Sequence, residues 1–179
     1  MFNNLEFTQQ LRKPENEDRM QTIRMIAIGK VKDAWLRQGI EEYSKRIQPM
    51  AKLQIVECEE EKAPEHLSAK EELQLKEREG ERLLQRVGKS DFTIALDLQG
   101  QEVTSPKLAE WLQHLAVDGF STVNFLIGGS LGLSEKVLLQ TQARLCLSPL
   151  TFPHQLCRLI LCEQLYRALS IQRNLPYHK

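Results

Sequence analysis

No stretch of this 179-residue chain approaches the ~20 consecutive apolar residues that a bilayer-spanning helix needs, so no membrane partner is expected. An excess of one charge is missing too. Lys and Arg (24) balance Asp and Glu (24), which excludes a global field that draws the protein onto nucleic acid but leaves local patches open. With only 9 Gly and 7 Pro, and with 41% hydrophobic and 27% charged residues, the chain is neither collagen-like nor disordered as a whole. The four cysteines include no C-x-x-C pair, and Cys157 and Cys162 diverge around any helix that carries both, which predicts buried free thiols. His66, His114, His154 and His178 are scattered, so no metal site is expected. A G-x-S-x-G elbow, a Walker loop and a G-x-G-x-x-G turn are all absent.

Residues 1–22 are polar, carry Pro14 and lack apolar periodicity. They are expected to be an extension outside the fold, either disordered or an upstream misreading of a start at Met20. Glu15, Glu17 and Asp18 stand where a secretory signal would have its apolar core, which points to the cytoplasm. Residues 23–179 have the length and pattern of a single domain.

Within that domain short apolar runs alternate with helical patterns. Strands are predicted at Ile23–Ile28, Leu53–Cys58, Phe92–Leu98, Thr122–Ile127 and Leu145–Ser148. Helices are predicted after Asp33, from the Ser68–Glu71 capping box to Gly88, after Ser105-Pro106 to Gly119, from Ser134 to about Ala143, and over 154–172. Five such repeats argue for an α/β fold, a parallel sheet with helices on both faces, whose ligands sit beyond the carboxyl ends of the strands.

Three segments fall at those ends. The turn I-G-G-S-L-G-L-S, 127–134, carries Gly128, Gly129 and Gly132 between a strand and a helix, where backbone can approach a ligand; a tight turn that needs glycine accounts for it equally. L-D-L-Q-G, 96–100, reads as a second glycine turn, with Asp97 a turn former or a carboxylate for chemistry. L-S-P-L-T-F, 147–152, is apolar with main-chain groups exposed by its prolines, which suits an adenine ring. The last helix and tail hold His154, Arg158, Arg167, Arg173, Tyr177 and His178 with Glu163 as their sole carboxylate, a local basic patch able to meet phosphate and an unpaired base. A solvated helix face accounts for Arg173 and Lys179. Glu163 is a possible partner of Arg158 and Arg167.

Taken in order, I-A-I-G-K, E-K-A-P-E, L-D-L-Q-G, I-G-G-S-L-G-L, L-S-P-L-T-F-P-H-Q, C-R-L-I-L, E-Q-L-Y-R-A and P-Y-H-K make residues 23–179 resemble the ribosomal large-subunit pseudouridine N3-methyltransferases, a branch of the knotted SPOUT methyltransferases. Leu150 stands where the family's S-x-M-T motif has Met, and Asn174-Leu175 where a glycine precedes P-Y-H. The resemblance implies a carboxyl-terminal trefoil knot and S-adenosylmethionine as methyl donor, held by backbone around Leu96, Gly128, Leu147, Ser148, Pro149, Leu150, Thr151 and Phe152. It also implies a homodimer with sites near the subunit interface, and a 23S rRNA pseudouridine as acceptor, in the large subunit or the assembled ribosome. Arg158 or Arg167 is then expected to stabilise the developing anion, His154 or His178 to relay the proton, and Tyr177 with His178 to contact the acceptor. The alternative from another class is a non-catalytic nucleotide- or ribosome-binding module of doubly wound topology.

Overall fold

A computed structural model describes residues 20–62, 64 and 66–178 of the chain. The expected extension, but for its last three residues, lies outside the described residues. Among the described residues five strands alternate with five helices: β1 (Thr22–Ile28), α1 (Ala34–Ile47), β2 (Lys52–Cys58), α2 (Ala69–Leu84), β3 (Phe92–Glu102), α3 (Ser105–Val117), β4 (Thr122–Ile127), α4 (Glu135–Gln140), β5 (Ala143–Cys146) and α5 (His154–Gln172). All four strand pairings are parallel, in the order β2-β1-β4-β3-β5. A parallel sheet of this kind must be covered on both sides, and alternate residues of one strand serve the two layers. From β1, Ile23, Met25 and Ala27 pack beneath α1, α3 and α5, while Ile26 and Ile28 pack with Leu83 of α2 and Val137 of α4.

Local chemistry sets the element ends. Ser68 and Glu71 form the reciprocal capping box that opens α2. The cap of α3 is Thr104, one residue before the expected Ser105, because Thr104 Oγ1 accepts from the Lys107 amide; Pro106 follows in the first turn. Helix α2 stops at Leu84 rather than Gly88, since Arg86 and Val87 donate to Leu83 and Leu84 in tight turns and the Gly88 amide is taken by Asp91. Helix α4 ends at Gln140 because Gln142 is tied twice to Thr93, which starts β5 at Ala143.

The largest departure is in β3. The expected L-D-L-Q-G turn is a bulge inside the strand: Leu96 pairs with Leu145, four residues loop out, and Gln101 pairs with Leu145 again. Gly100 makes the return possible, for a Cβ there falls 2.7 Å from the Leu145 carbonyl carbon and 2.8 Å from that of Arg144.

Candidate functional site

Parallel neighbours release their following segments on one edge of the sheet. The order β4-β3-β5 therefore brings Leu96, Gly128 and the 147–152 segment to adjacent positions on that edge. Beside Leu96, the Asp97 carboxylate lies 3.6 Å from Arg144 of β5. The 128–133 loop folds tightly on itself: Gly132, at φ +78°, donates its amide to the Gly129 carbonyl at 3.1 Å. A Cβ on Gly128 meets the carbonyl carbon of Gly132 at 2.6 Å and the Leu133 nitrogen at 2.9 Å. The close backbone approach that demands glycine at 128 is thus made by the loop's own chain.

The 147–152 segment is held from within. Ser148 Oγ accepts from the Leu150 amide at 3.0 Å, and the Cys146 thiol donates to the Ser148 carbonyl. Leu147 and Phe152 are half-buried, whereas Pro149, Leu150 and Thr151 are exposed, Leu150 to 69%. The amides of Thr151 and Phe152 donate to no described group.

Helix α5 begins here with His154. Burial, reinforced by the neighbouring Arg158 charge, lowers its pKa, and its buried Nε2 has no described partner. Arg158, one turn on, is wholly buried. Its Nη1 donates to Gly29 O at 3.0 Å and pairs with Glu57 at 3.3 Å, and its Nη2 donates to Ile28 O. Both Nη atoms are engaged at the end of β1 while Nε has no described partner, and Glu57, not Glu163, is the carboxylate that Arg158 meets.

Arg167 lies nine residues further, about 14 Å along the helix and on its opposite face. Its Nε and Nη2 both donate to Glu163 Oε1, at 3.0 and 2.5 Å, which raises its pKa further. The same oxygen accepts from the Tyr177 hydroxyl at 3.1 Å; Arg167 lies over the Tyr177 ring at 4.8 Å and 3.5 Å from Nδ1 of His178. Burial first, then Tyr43 and Glu163, push the Tyr177 phenol above its ordinary range. The five basic and aromatic candidates therefore form two groups, His154 with Arg158 at one end of α5 and Arg167 with Tyr177 and His178 towards the other.

Residues 20–178 match the family model described as "Predicted SPOUT methyltransferase". The chain is 48% identical over 157 residues to ribosomal RNA large subunit methyltransferase H 1 of Clostridium perfringens, a match that covers 88% of this chain and 99% of the relative. It is 52% identical over the same shares to ribosomal RNA large subunit methyltransferase H of Alkaliphilus oremlandii, and 48% identical, over 89% of this chain and all of the relative, to that of Desulfitobacterium hafniense. The chain belongs to the ribosomal RNA large subunit methyltransferase H family of SPOUT methyltransferases.

The methyl donor that SPOUT methyltransferases generally use, S-adenosylmethionine, suits one part of this edge. Half-buried Leu96, Leu147 and Phe152 offer apolar surface to an adenine ring, and the free Thr151 and Phe152 amides offer donors to its nitrogens. Two clefts, of about 720 and 410 Å³, lie apart from these residues: one at the ends of β1 and β2 beside Lys30, Glu57, Glu60 and Arg82, the other between α2 and α4. Among the described residues no three His, Cys, Asp or Glu side chains are grouped so as to hold a metal ion, and no helix is long and apolar enough to cross a membrane.

Three side chains central to this geometry escape sequence reasoning. Glu57 alternates into a half-buried strand, and Tyr43 sits in the apolar stripe of α1, so both read as ordinary members of their elements. Glu79 of α2 is only 3% exposed; its Oε1 accepts from the Glu61 amide, and its Oε2 lies against Gly129 with no described partner. A charged residue in a strongly charged helix gives no sequence signal of burial.

Proposed function

We propose that the protein is an S-adenosylmethionine-dependent methyltransferase of ribosomal RNA that methylates N3 of a pseudouridine in 23S RNA, on the large subunit or the assembled ribosome, in the cytoplasm. The observation that carries this reading is relatedness along 99% or more of the length of relatives named for ribosomal RNA large subunit methylation. When bound, the donor supplies a methyl group on a sulfonium centre, open to in-line attack. Leu96, Gly128 and residues Leu147, Ser148, Pro149, Leu150, Thr151 and Phe152 hold it, through main chain and apolar contact, within a trefoil-knotted carboxyl-terminal half. On the acceptor side Tyr177 and His178 contact the base, and Arg167, oriented by Glu163, stabilises the charge left as N3 loses its proton. His154, whose pKa burial and the Arg158 charge lower, and His178 are the groups that relay that proton. Arg158 positions the edge on which both sides rest.

These roles need a second copy of the chain. The stretch of α5 from His154 to Arg167 puts about 20 Å of helix between the donor segment at its start and the Arg167, Tyr177 and His178 cluster towards its end. A two-fold pairing with α5 antiparallel to its copy sets one tail against the other's donor edge, and exposed Leu98 and Leu150 give that edge apolar surface to cover. Residues 1–22 take no part in this reading. Removing residues 1–19 is expected to leave methyl transfer unchanged, and a lost activity would put the extension in the site.

The test is methylation of large subunits and ribosomes from a strain that lacks the modification, with the product nucleoside identified by mass spectrometry. Transfer to N3 of a pseudouridine is expected. Donor binding with no transfer to either particle would leave a non-catalytic ribosome-binding module as the better account. Light scattering that shows only a monomer of 20.7 kDa at micromolar concentration would overturn the dimer.

A further inference from the structure

Two arginines at the tail end of the fold are held in the same way. Glu163 fixes Arg167 four residues on, and the guanidinium lies 4.8 Å from the Tyr177 ring centre. On α1, Glu42 fixes Arg46 four residues on, with Nε and Nη2 both 2.8 Å from its Oε1, and that guanidinium lies 5.7 Å from the Tyr43 ring centre and 5.8 Å from that of Tyr166. Three tyrosines join the two. Tyr43 and Tyr166 have ring centres 6.0 Å apart, Tyr166 and Tyr177 4.5 Å, and the hydroxyls of Tyr43 and Tyr177 are 3.5 Å apart. The result is a continuous strip of cation and aromatic side chains from α1 across α5 to the tail.

The strip is fixed from below. Arg173 donates to the carbonyls of Pro49 and Met50 at 3.0 and 2.8 Å, which ties the end of α5 to the turn after α1. Gly39 of α1 also lets the helices approach closely, since a Cβ there falls 2.9 Å from Leu159 of α5. Packing gives no reason for Arg46 itself: its side chain is 45% exposed, and exposed Glu–Arg pairs of this spacing contribute little to stability. Held by Glu42 and set over two rings, the guanidinium loses little freedom when it binds a further anion, and its Nη1 has no described partner. A basic guanidinium beside an aromatic platform is the recurring means of gripping single-stranded nucleic acid.

We infer that Arg46 binds a backbone phosphate of the single-stranded RNA that flanks the target nucleotide, so that the acceptor surface runs from Arg167, Tyr177 and His178 across α5 onto α1. The inference rests on the reading of those three residues as the acceptor side. Tyr43 and Tyr166 support the guanidinium from beneath. The strip thereby extends recognition beyond the methylated base to its neighbour along the strand.

The experiment is steady-state methylation of large subunits over a series of salt concentrations, with Arg46→Ala, Arg46→Lys and Arg167→Ala made in the full chain, together with donor calorimetry and melting. For Arg46→Ala the KM for the subunit is expected to rise about tenfold, and the slope of log(1/KM) against log[salt] to fall by roughly 0.7, the share of one single-strand phosphate, with donor affinity and melting temperature held. Arg46→Lys restores the slope, since a point charge still releases the counterion, but only part of the affinity. An unchanged KM and slope in Arg46→Ala would overturn the inference. So would a fall in melting temperature that Arg46→Lys does not repair, because Arg46 would then belong to the fold. A silent Arg46→Ala beside a defective Arg167→Ala removes this inference and leaves the acceptor reading intact; silence in both overturns the acceptor reading as well.

Discussion

Arg158 and Glu57 meet at 3.3 Å across the end of β1, the arginine wholly buried and the carboxylate also accepting from the Val31 amide. Arg158→Ala strands the Ile28 and Gly29 carbonyls as well as Glu57. The expected loss is about 3 kcal/mol of stability, read as a lower urea midpoint at constant slope. Arg158→Lys recovers little, because an ammonium does not span two carbonyls and a carboxylate as a planar fork does. An unchanged midpoint with methyl transfer lost would return Arg158 to the reacting groups.

Gly128→Ala places a Cβ against the backbone of Gly132 and Leu133, so it is expected to cost about 1–3 kcal/mol and to weaken donor binding in step. Calorimetry and thermal melting on the same preparation check this. Donor binding abolished at full stability would show that the space above Gly128 belongs to the ligand and not to the loop.

Burial raises the pKa of Glu79 above its ordinary 4.5, against the opposing pull of the Glu61 amide. The folded chain therefore holds this proton more tightly than the unfolded one, and the associated stability, full below about pH 4, is lost as pH rises through the raised value. Glu79→Gln keeps an acceptor for the Glu61 amide and removes the titration. Its melting temperature is expected to match the parent's in acid and to exceed it by about 2–4 °C once the parent's carboxyl has ionised. A gap that stays constant with pH would remove Glu79 as the cause.

The Cys162 thiol, pushed up to about 12 by burial, holds almost no thiolate at neutral pH. Brief alkylation of the native protein, followed by peptide mass spectrometry, is expected to leave Cys162 unmodified while half-buried Cys157 reacts slowly. Rapid labelling at 162 would mean that α5 opens in the native state.

The strand and helix alternation is legible in the sequence because each strand is a short apolar run bounded by turn residues. The last helix, read from about His154 to Gln172, is legible because Pro153 marks its start. Residues 96–100 read as a turn because Gly100 closes the L-D-L-Q-G run, and the chain's return to the sheet at Gln101 depends on where the β5 backbone lies, which no local pattern encodes. The clustering of Arg167, Tyr177 and His178 could be anticipated as a basic, aromatic tail. The separate fate of Arg158 could not, for it depends on two backbone carbonyls 129 and 130 residues away. Nor does any spacing reveal that Arg46 and Tyr43, on the first helix, stand beside the tail.

The strand order also governs how the chain can fold. The central strand of the sheet, β4, lies between β1 and β3, and in its pairing with β1 Thr22 faces Thr122 across a hundred positions of chain. At synthesis rates of about 5–20 residues per second, β1 waits several seconds for its partner, with β2 its one available neighbour. Closing so long a loop carries its entropy cost before any pairing repays it, so most of the sheet assembles late and slowly. Until then Ile23, Met25, Ile26 and Ile28, buried in the finished sheet, are left without their native cover.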